Sequence, residues 1–145
     1  MNIKIVYETQ TGTTEYVAQV IQAQLTAAGH IVTLHSIKYD GKTPNLDGIE
    51  LVLFGGPTYD DGKLENFLND FISEFHPDLS TFKVAVFGLG NHTYPQFCIA
   101  ADILETWVKK CGGQLLVQTL KIDGFPDHLE KITTYVQSIL QSISK

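Results

Sequence analysis

Basic charge is what this chain of 145 residues has least of: ten Lys and Arg stand against 16 Asp and Glu, a formal net charge of −6. That balance argues against nucleic-acid binding and for basic partners or plain solubility. Cysteine is nearly missing too. The two present, Cys98 and Cys111, fall in one predicted helix, where thirteen residues of rise hold them about 20 Å apart, beyond disulfide reach. Free thiols and a reducing compartment are expected. No apolar run approaches the roughly 20 residues of a membrane span, and Met1-Asn2-Ile3-Lys4 enters a strand without a signal-peptide pattern. A cytoplasmic protein is expected. The histidines other than His92 form no cluster with Cys, Asp or Glu at ligand spacing, so no metal site is indicated. No nucleophile has an evident base and orienting partner. Repeats, linkers and low-complexity segments are lacking as well, and the length is that of one domain, 1–145, able to bury a proper core.

What is present is an alternation of apolar runs and helical stripes. Strands are predicted at Ile3 to Tyr7, Ile31 to Ser36, Leu51 to Gly56, Val84 to Gly88 and Leu115 to Ile122, most too continuously apolar to be half exposed. Helical spacing relates Val17, Val20, Ile21 and Leu25; then Leu64, Phe67, Leu68, Phe71, Ile72 and Phe75; then Phe97, Ala101, Leu104, Val108 and Cys111; and last Leu129, Ile132, Val136, Ile139, Leu140 and Ile143. Trp107 sits beside Val108 and reads as packing. Gly29 and Gly112-Gly113 stand where helices should stop, and Asp47-Gly48, Pro57, Pro95 and Gly124 mark loops. Strands joined by helices through right-handed crossovers imply an α/β three-layer domain, with ligands bound beyond the carboxyl ends of the strands where strand order reverses.

Three loops reach that place. Thr9-Gln10-Thr11-Gly12-Thr13-Thr14 lies where the first strand hands over to a helix, whose unpartnered N–H groups and dipole favour a phosphate. Its threonine hydroxyls can donate to phosphate oxygens, and Gly12 permits a conformation that a Cβ would penalise. No Lys or Arg lies between Lys4 and Lys38, so the donors are neutral, unlike those of dinucleotide and triphosphate loops. The alternative is that Thr13 or Thr14 merely caps the helix. The second loop, Gly55-Gly56-Pro57-Thr58-Tyr59-Asp60-Asp61-Gly62, and the third, Gly88-Leu89-Gly90-Asn91-His92-Thr93-Tyr94-Pro95-Gln96-Phe97, each carry an aromatic among turn formers. Two such rings can clamp a planar group between them; the alternative for each is a tyrosine resting on the surface.

With these motifs the whole chain resembles a flavodoxin of the short-chain type. The first loop is similar to that family's T/S-x-T-G-x-T phosphate loop, Pro57-Thr58-Tyr59-Asp60 to its second loop and Gly88 to Tyr94 to its third, and Phe97-Cys98 and Ile122-Asp123-Gly124 continue the likeness. The resemblance implies a flavodoxin-like sandwich: a five-stranded parallel sheet in order 2-1-3-4-5 with helices on both faces. It implies bound FMN and a low-potential one-electron carrier shuttling between semiquinone and hydroquinone. It implies that Thr9, Gln10, Thr11, Gly12, Thr13 and Thr14 bind the phosphate, with Thr58 adding a hydroxyl. Tyr59 and Tyr94 would cover the ring faces, while Asn91 and the backbone of Thr58, Tyr59, Asp60 and Asp61 and of Gly90, Asn91, His92 and Thr93 bond its polar edge. Pro57, Phe97 and Cys98 complete the site. A likely histidine switch is not needed: His92 reads either as redox-linked or as a solvated loop residue.

Asp60, Asp61 and Glu65 would disfavour negative charge on the ring and lower the potential of the second couple; for Glu65 a solvated surface is the alternative. Two residues depart from the commonest family pattern. Asp60 stands where glycine is frequent; if the turn needs positive φ, Asp costs about 1 kcal/mol more than Gly, and the singly reduced state is less stabilised. Asn91 stands where an acid is frequent, which makes the second couple less negative. The partners implied are reductases and electron acceptors docking transiently at an acidic flavin edge, on a monomer that is not an enzyme. Competing readings are a small FMN-dependent quinone or nitro-group reductase, which needs a substrate pocket the compact chain has little length to build, and the flavin module of a larger reductase, which the chain ends disfavour. A signalling receiver needs an Asp where Gly56-Pro57 stand.

Overall fold

The computed structural model describes residues 1–8, 12–57, 66–90, 98–123 and 129–144, with the side chains of 66 and 67 also outside the described set. Chain order runs β1 (Asn2–Tyr7), α1 (Thr13–Ala27), β2 (Ile31–Ser36), α2 (Ile37–Asp40), β3 (Leu51–Pro57), α3 (Asn66–Glu74), β4 (Lys83–Gly90), α4 (Ile99–Lys110), β5 (Leu120–Asp123) and α5 (Glu130–Ile143). The strands form one parallel sheet in the order β2-β1-β3-β4-β5, the order the resemblance implies.

Alternation along the central strands explains why they are apolar without interruption. Ile3, Ile5 and Tyr7, Leu51 and Leu53, and Ala85, Phe87 and Leu89 join one core with Val17, Ile21 and Leu25 of α1 and Ile132, Val136 and Ile139 of α5. Val6, Val52 and Phe54, and Val84 and Val86 join a second with Leu68 and Phe71 of α3 and Leu104, Trp107 and Val108 of α4. Each face is covered, so each strand needs apolar residues at both parities. Trp107 packs as expected: its ring meets Phe54 edge-on at 4.9 Å, and its indole N–H donates to the Phe75 carbonyl at 3.1 Å.

Four boundaries differ from the sequence reading. Pro57 and Gly90 end β3 and β4 instead of lying in loops, held by the register Pro57↔Leu89 and Gly90↔Asp123. The last strand is shorter than Leu115 to Ile122: Leu115 makes an isolated bridge to Val84, and regular pairing resumes only at Phe87↔Leu120. Three residue steps on β4 thus face five on its partner, and the excess leaves the ladder between them, where the Thr119 hydroxyl donates to Glu105. Cys98 and Cys111 cap α4 at its two ends; both are free. Leu129, counted in the last stripe, precedes α5 and is exposed. The short α2 had no apolar stripe to announce it; it starts where the Ser36 hydroxyl accepts from the Tyr39 N–H at 3.3 Å. Gly29 and Gly112 follow helix ends with φ of 98° and 85°, as their positions suggested.

Candidate functional site

The carboxyl ends of β1, β3 and β4 lie side by side. β1 is the reversal point, since the chain leaves it for β2 on one side and reaches β3 on the other. Glu8 follows β1, is fully buried, and donates its backbone N–H to the Gly55 carbonyl at 3.1 Å. After residues 9–11 the chain re-enters as α1.

The start of α1 carries the chief functional observation. Gly12 is the N-cap in the left-handed region, φ 88° and ψ −6°, a conformation that costs an L side chain about 1 kcal/mol or more. No side chain caps this helix, so the capping role considered for Thr13 or Thr14 is not taken up. Thr14 is instead wholly buried, and its hydroxyl has no hydrogen-bond partner among the described residues. A buried hydroxyl left unmade costs roughly 1–3 kcal/mol. A helix start with donors unused by side chains, a hydroxyl awaiting a partner and a close backbone approach at glycine together fit a phosphate group.

An acid nevertheless stands in the first turn. Glu15 accepts a hydrogen bond from the Tyr7 hydroxyl at 2.9 Å, tying α1 to the end of β1. Burial, with Glu15 next and then Asp40 and Glu8, drives the Tyr7 phenol well above its usual range, so it stays a neutral donor. Neither Tyr7 nor Glu15 was singled out in the sequence; an acid in the first helical turn reads as ordinary dipole complementation.

The third loop is delimited by a tight junction. At Gly90 a Cβ would come within 2.7 Å of the Cys98 backbone nitrogen, so only glycine permits this approach. Cys98 itself has φ 52°, the one positive value at a non-glycine residue among those described. Its thiol is fully buried, 3.5 Å from the Ile122 carbonyl and 3.8 Å from that of Gly88. Burial chiefly pushes this thiol up to about 11, only partly offset by Lys121, and keeps it protonated at neutral pH. Cys98 therefore joins the ends of β4 and β5 through its side chain and borders the third loop through its backbone.

Of the predicted site residues, Gly12, Thr13 and Thr14 stand at the head of α1, Pro57 and Gly90 at the ends of β3 and β4, and Cys98 at the head of α4. Thr9, Gln10, Thr11, Thr58, Tyr59, Asp60, Asp61, Asn91, His92, Thr93, Tyr94 and Phe97, together with Glu65, lie outside the described residues. Among the described residues no group of His, Cys, Asp and Glu is placed to hold a metal ion, and no helix is long and apolar enough to cross a membrane.

Comparison with known proteins agrees with this geometry. The family profile described as Flavodoxin matches residues 5–134. The chain is 33% identical over 129 residues to a flavodoxin of Nitratidesulfovibrio vulgaris, covering 86% of each. It superposes on the crystal structure of oxidised flavodoxin 2 from Bacillus cereus with a TM-score of 0.88 at 31% identity, covering 97% of this chain and 99% of that one. It is also 32% identical to part of the sulfite reductase [NADPH] flavoprotein alpha-component of Photobacterium profundum, covering 83% of this chain and 20% of that protein.

Proposed function

This chain belongs to the flavodoxin family, and from that premise we propose how its residues serve an FMN-binding electron carrier. The observation that carries the assignment of the phosphate end is the Thr14 hydroxyl, buried without a partner among the described residues beside the left-handed Gly12. Thr9, Gln10, Thr11, Gly12, Thr13 and Thr14 hold the phosphate through hydroxyls and the first N–H groups of α1. Thr58 contributes a further hydroxyl. The second and third loops start from Pro57 and Gly90, at the ends of adjacent strands, which supports assigning their two aromatics, Tyr59 and Tyr94, to opposite faces of one planar ring. Asn91 and the backbone of 58–61 and 90–93 bond its polar edge; Phe97 and the Cys98 backbone close that side.

Bound FMN supplies the one-electron chemistry. The chain's part is to exclude water with the two tyrosines and to set, through Asp60, Asp61 and Glu65, a field that resists added negative charge, which lowers the potential and makes a strong donor. Flavodoxins work with redox partner proteins. For this one, a monomeric, single-domain, cytoplasmic carrier, the partners are reductases and acceptors of basic surface that dock briefly at the acidic flavin edge.

Anaerobic stepwise reduction of the FMN-loaded protein, followed by visible absorption, tests this reading. Two separate one-electron steps are expected. A single two-electron step followed by rapid reoxidation by quinones would support the reductase instead, and failure to bind FMN would overturn the site.

A further inference from the structure

Glu8 is a fully buried carboxyl placed directly before the loop assigned to phosphate. Its surroundings are rich in acids. Tyr7, the residue before it, senses Glu15, Asp40 and Glu8 electrostatically, so three carboxyls from β1's end, α1 and α2 share the neighbourhood of one buried phenol. Glu15 is joined to that phenol at 2.9 Å, and Asp40 accepts the Ser36 N–H at 2.8 Å. On β2, the His35 ring is engaged with the Gly41 carbonyl at 2.7 Å. The lysine of this quarter among the described residues is Lys38 on α2, whose ammonium lies over the Tyr39 ring at 5.4 Å. By sequence the second loop adds Asp60, Asp61, Lys63 and Glu65.

A phosphate monoester brings up to two negative charges to this place, its second ionisation lying near pH 6. The Thr14 hydroxyl and the head of α1 supply neutral donors for it. They do not supply the positive charge that would let a buried carboxylate stay ionised alongside. The cheapest relief is a proton.

We propose that FMN binding is proton-linked through Glu8: its carboxyl takes up one proton from solvent as the phosphate enters, and remains the neutral acid while FMN is bound. This rests on the phosphate assignment above. A group whose protonation is favoured in the complex raises affinity as pH falls, and the advantage is lost as pH rises through its value in the complex. FMN affinity therefore weakens with rising pH above neutrality, where the free phosphate is already a dianion. Riboflavin, which has the same ring and no phosphate, shows no such dependence.

Calorimetric titration of the apoprotein with FMN and with riboflavin, at pH 8 in two buffers of different ionisation enthalpy, counts the protons directly. The expected results are close to one proton taken up with FMN and none with riboflavin. In Glu8→Gln the FMN proton should vanish, and FMN should bind about tenfold more tightly at pH 8 while riboflavin is unchanged, the size expected for removing one nearby charge of like sign. FMN binding without proton uptake in the native protein overturns the proposal, and this count stands even if the variant fails to fold. Uptake persisting undiminished in Glu8→Gln also overturns it, by placing the proton elsewhere. Failure of FMN to bind better than riboflavin would instead overturn the phosphate assignment.

Discussion

At the residue scale, hydroxyls and thiols decide more than charges do. Thr14→Val keeps the shape and removes the unpartnered hydroxyl. The apoprotein should be no less stable by thermal melting, because an unmet buried polar group is lost, whereas FMN should bind about tenfold more weakly and riboflavin equally well. Gly90→Ala drives a methyl against backbone at 2.7 Å, and a loss of about 1–3 kcal/mol in denaturant unfolding is expected. Cys98 makes a pH signature. Its thiol is raised from 9.0 to about 11 by burial, so the unfolded chain gives up the proton first and stability falls as pH rises from about 9 toward 11. The slope between pH 9 and 10 should be shallower in Cys98→Ala, and native Cys98 should resist alkylation at pH 8 that the half-buried Cys111 undergoes. The threonines around Gly12 were legible because hydroxyls and a glycine between a strand and a helix have one evident use. Glu8 and the Tyr7 to Glu15 bond were not, since their meaning depends on burial and on a contact across eight residues.

At the scale of elements, the α3 and α4 pair is held to the sheet by an aromatic group in which Phe71 meets Phe54, Phe75 and Trp107 at centroid distances of 6.1, 5.2 and 5.3 Å. Phe71→Ala should cost about 3–5 kcal/mol in denaturant unfolding. The change should also shift the emission of Trp107, the one tryptophan of the chain. The stripes that built these helices were readable as spacing, because a helix covering a sheet must present one apolar face. The end of the sheet was not readable in the same way. Leu115, Leu116 and Val117 look like strand, yet pairing with β4 holds only at Leu115 and again from Leu120. Apolar runs report burial, and Leu116 and Val117 pack against the core without joining the ladder. Likewise α2 is too short for any period to show.

At the scale of the whole molecule, the net charge of −6 governs encounters more than the fold. Electron transfer to a basic-faced partner should slow as salt rises from about 10 to 300 mM, with the change in the association rate; an unchanged rate would argue against steering by the acidic surface. The sequence by itself determined the layers, the sheet's hidden faces and the place of the phosphate loop, because continuous apolar strands can be buried only between two helical layers and a strand-to-helix turn is an anion site by backbone chemistry alone. Only the tertiary structure decided which hydroxyl stays buried and unmet at Thr14, that Gly90 must admit the Cys98 backbone, and that Glu8 is enclosed beside other acids. Those facts depend on distances between segments far apart in the chain, and packing sets such distances where no local pattern of residues records them.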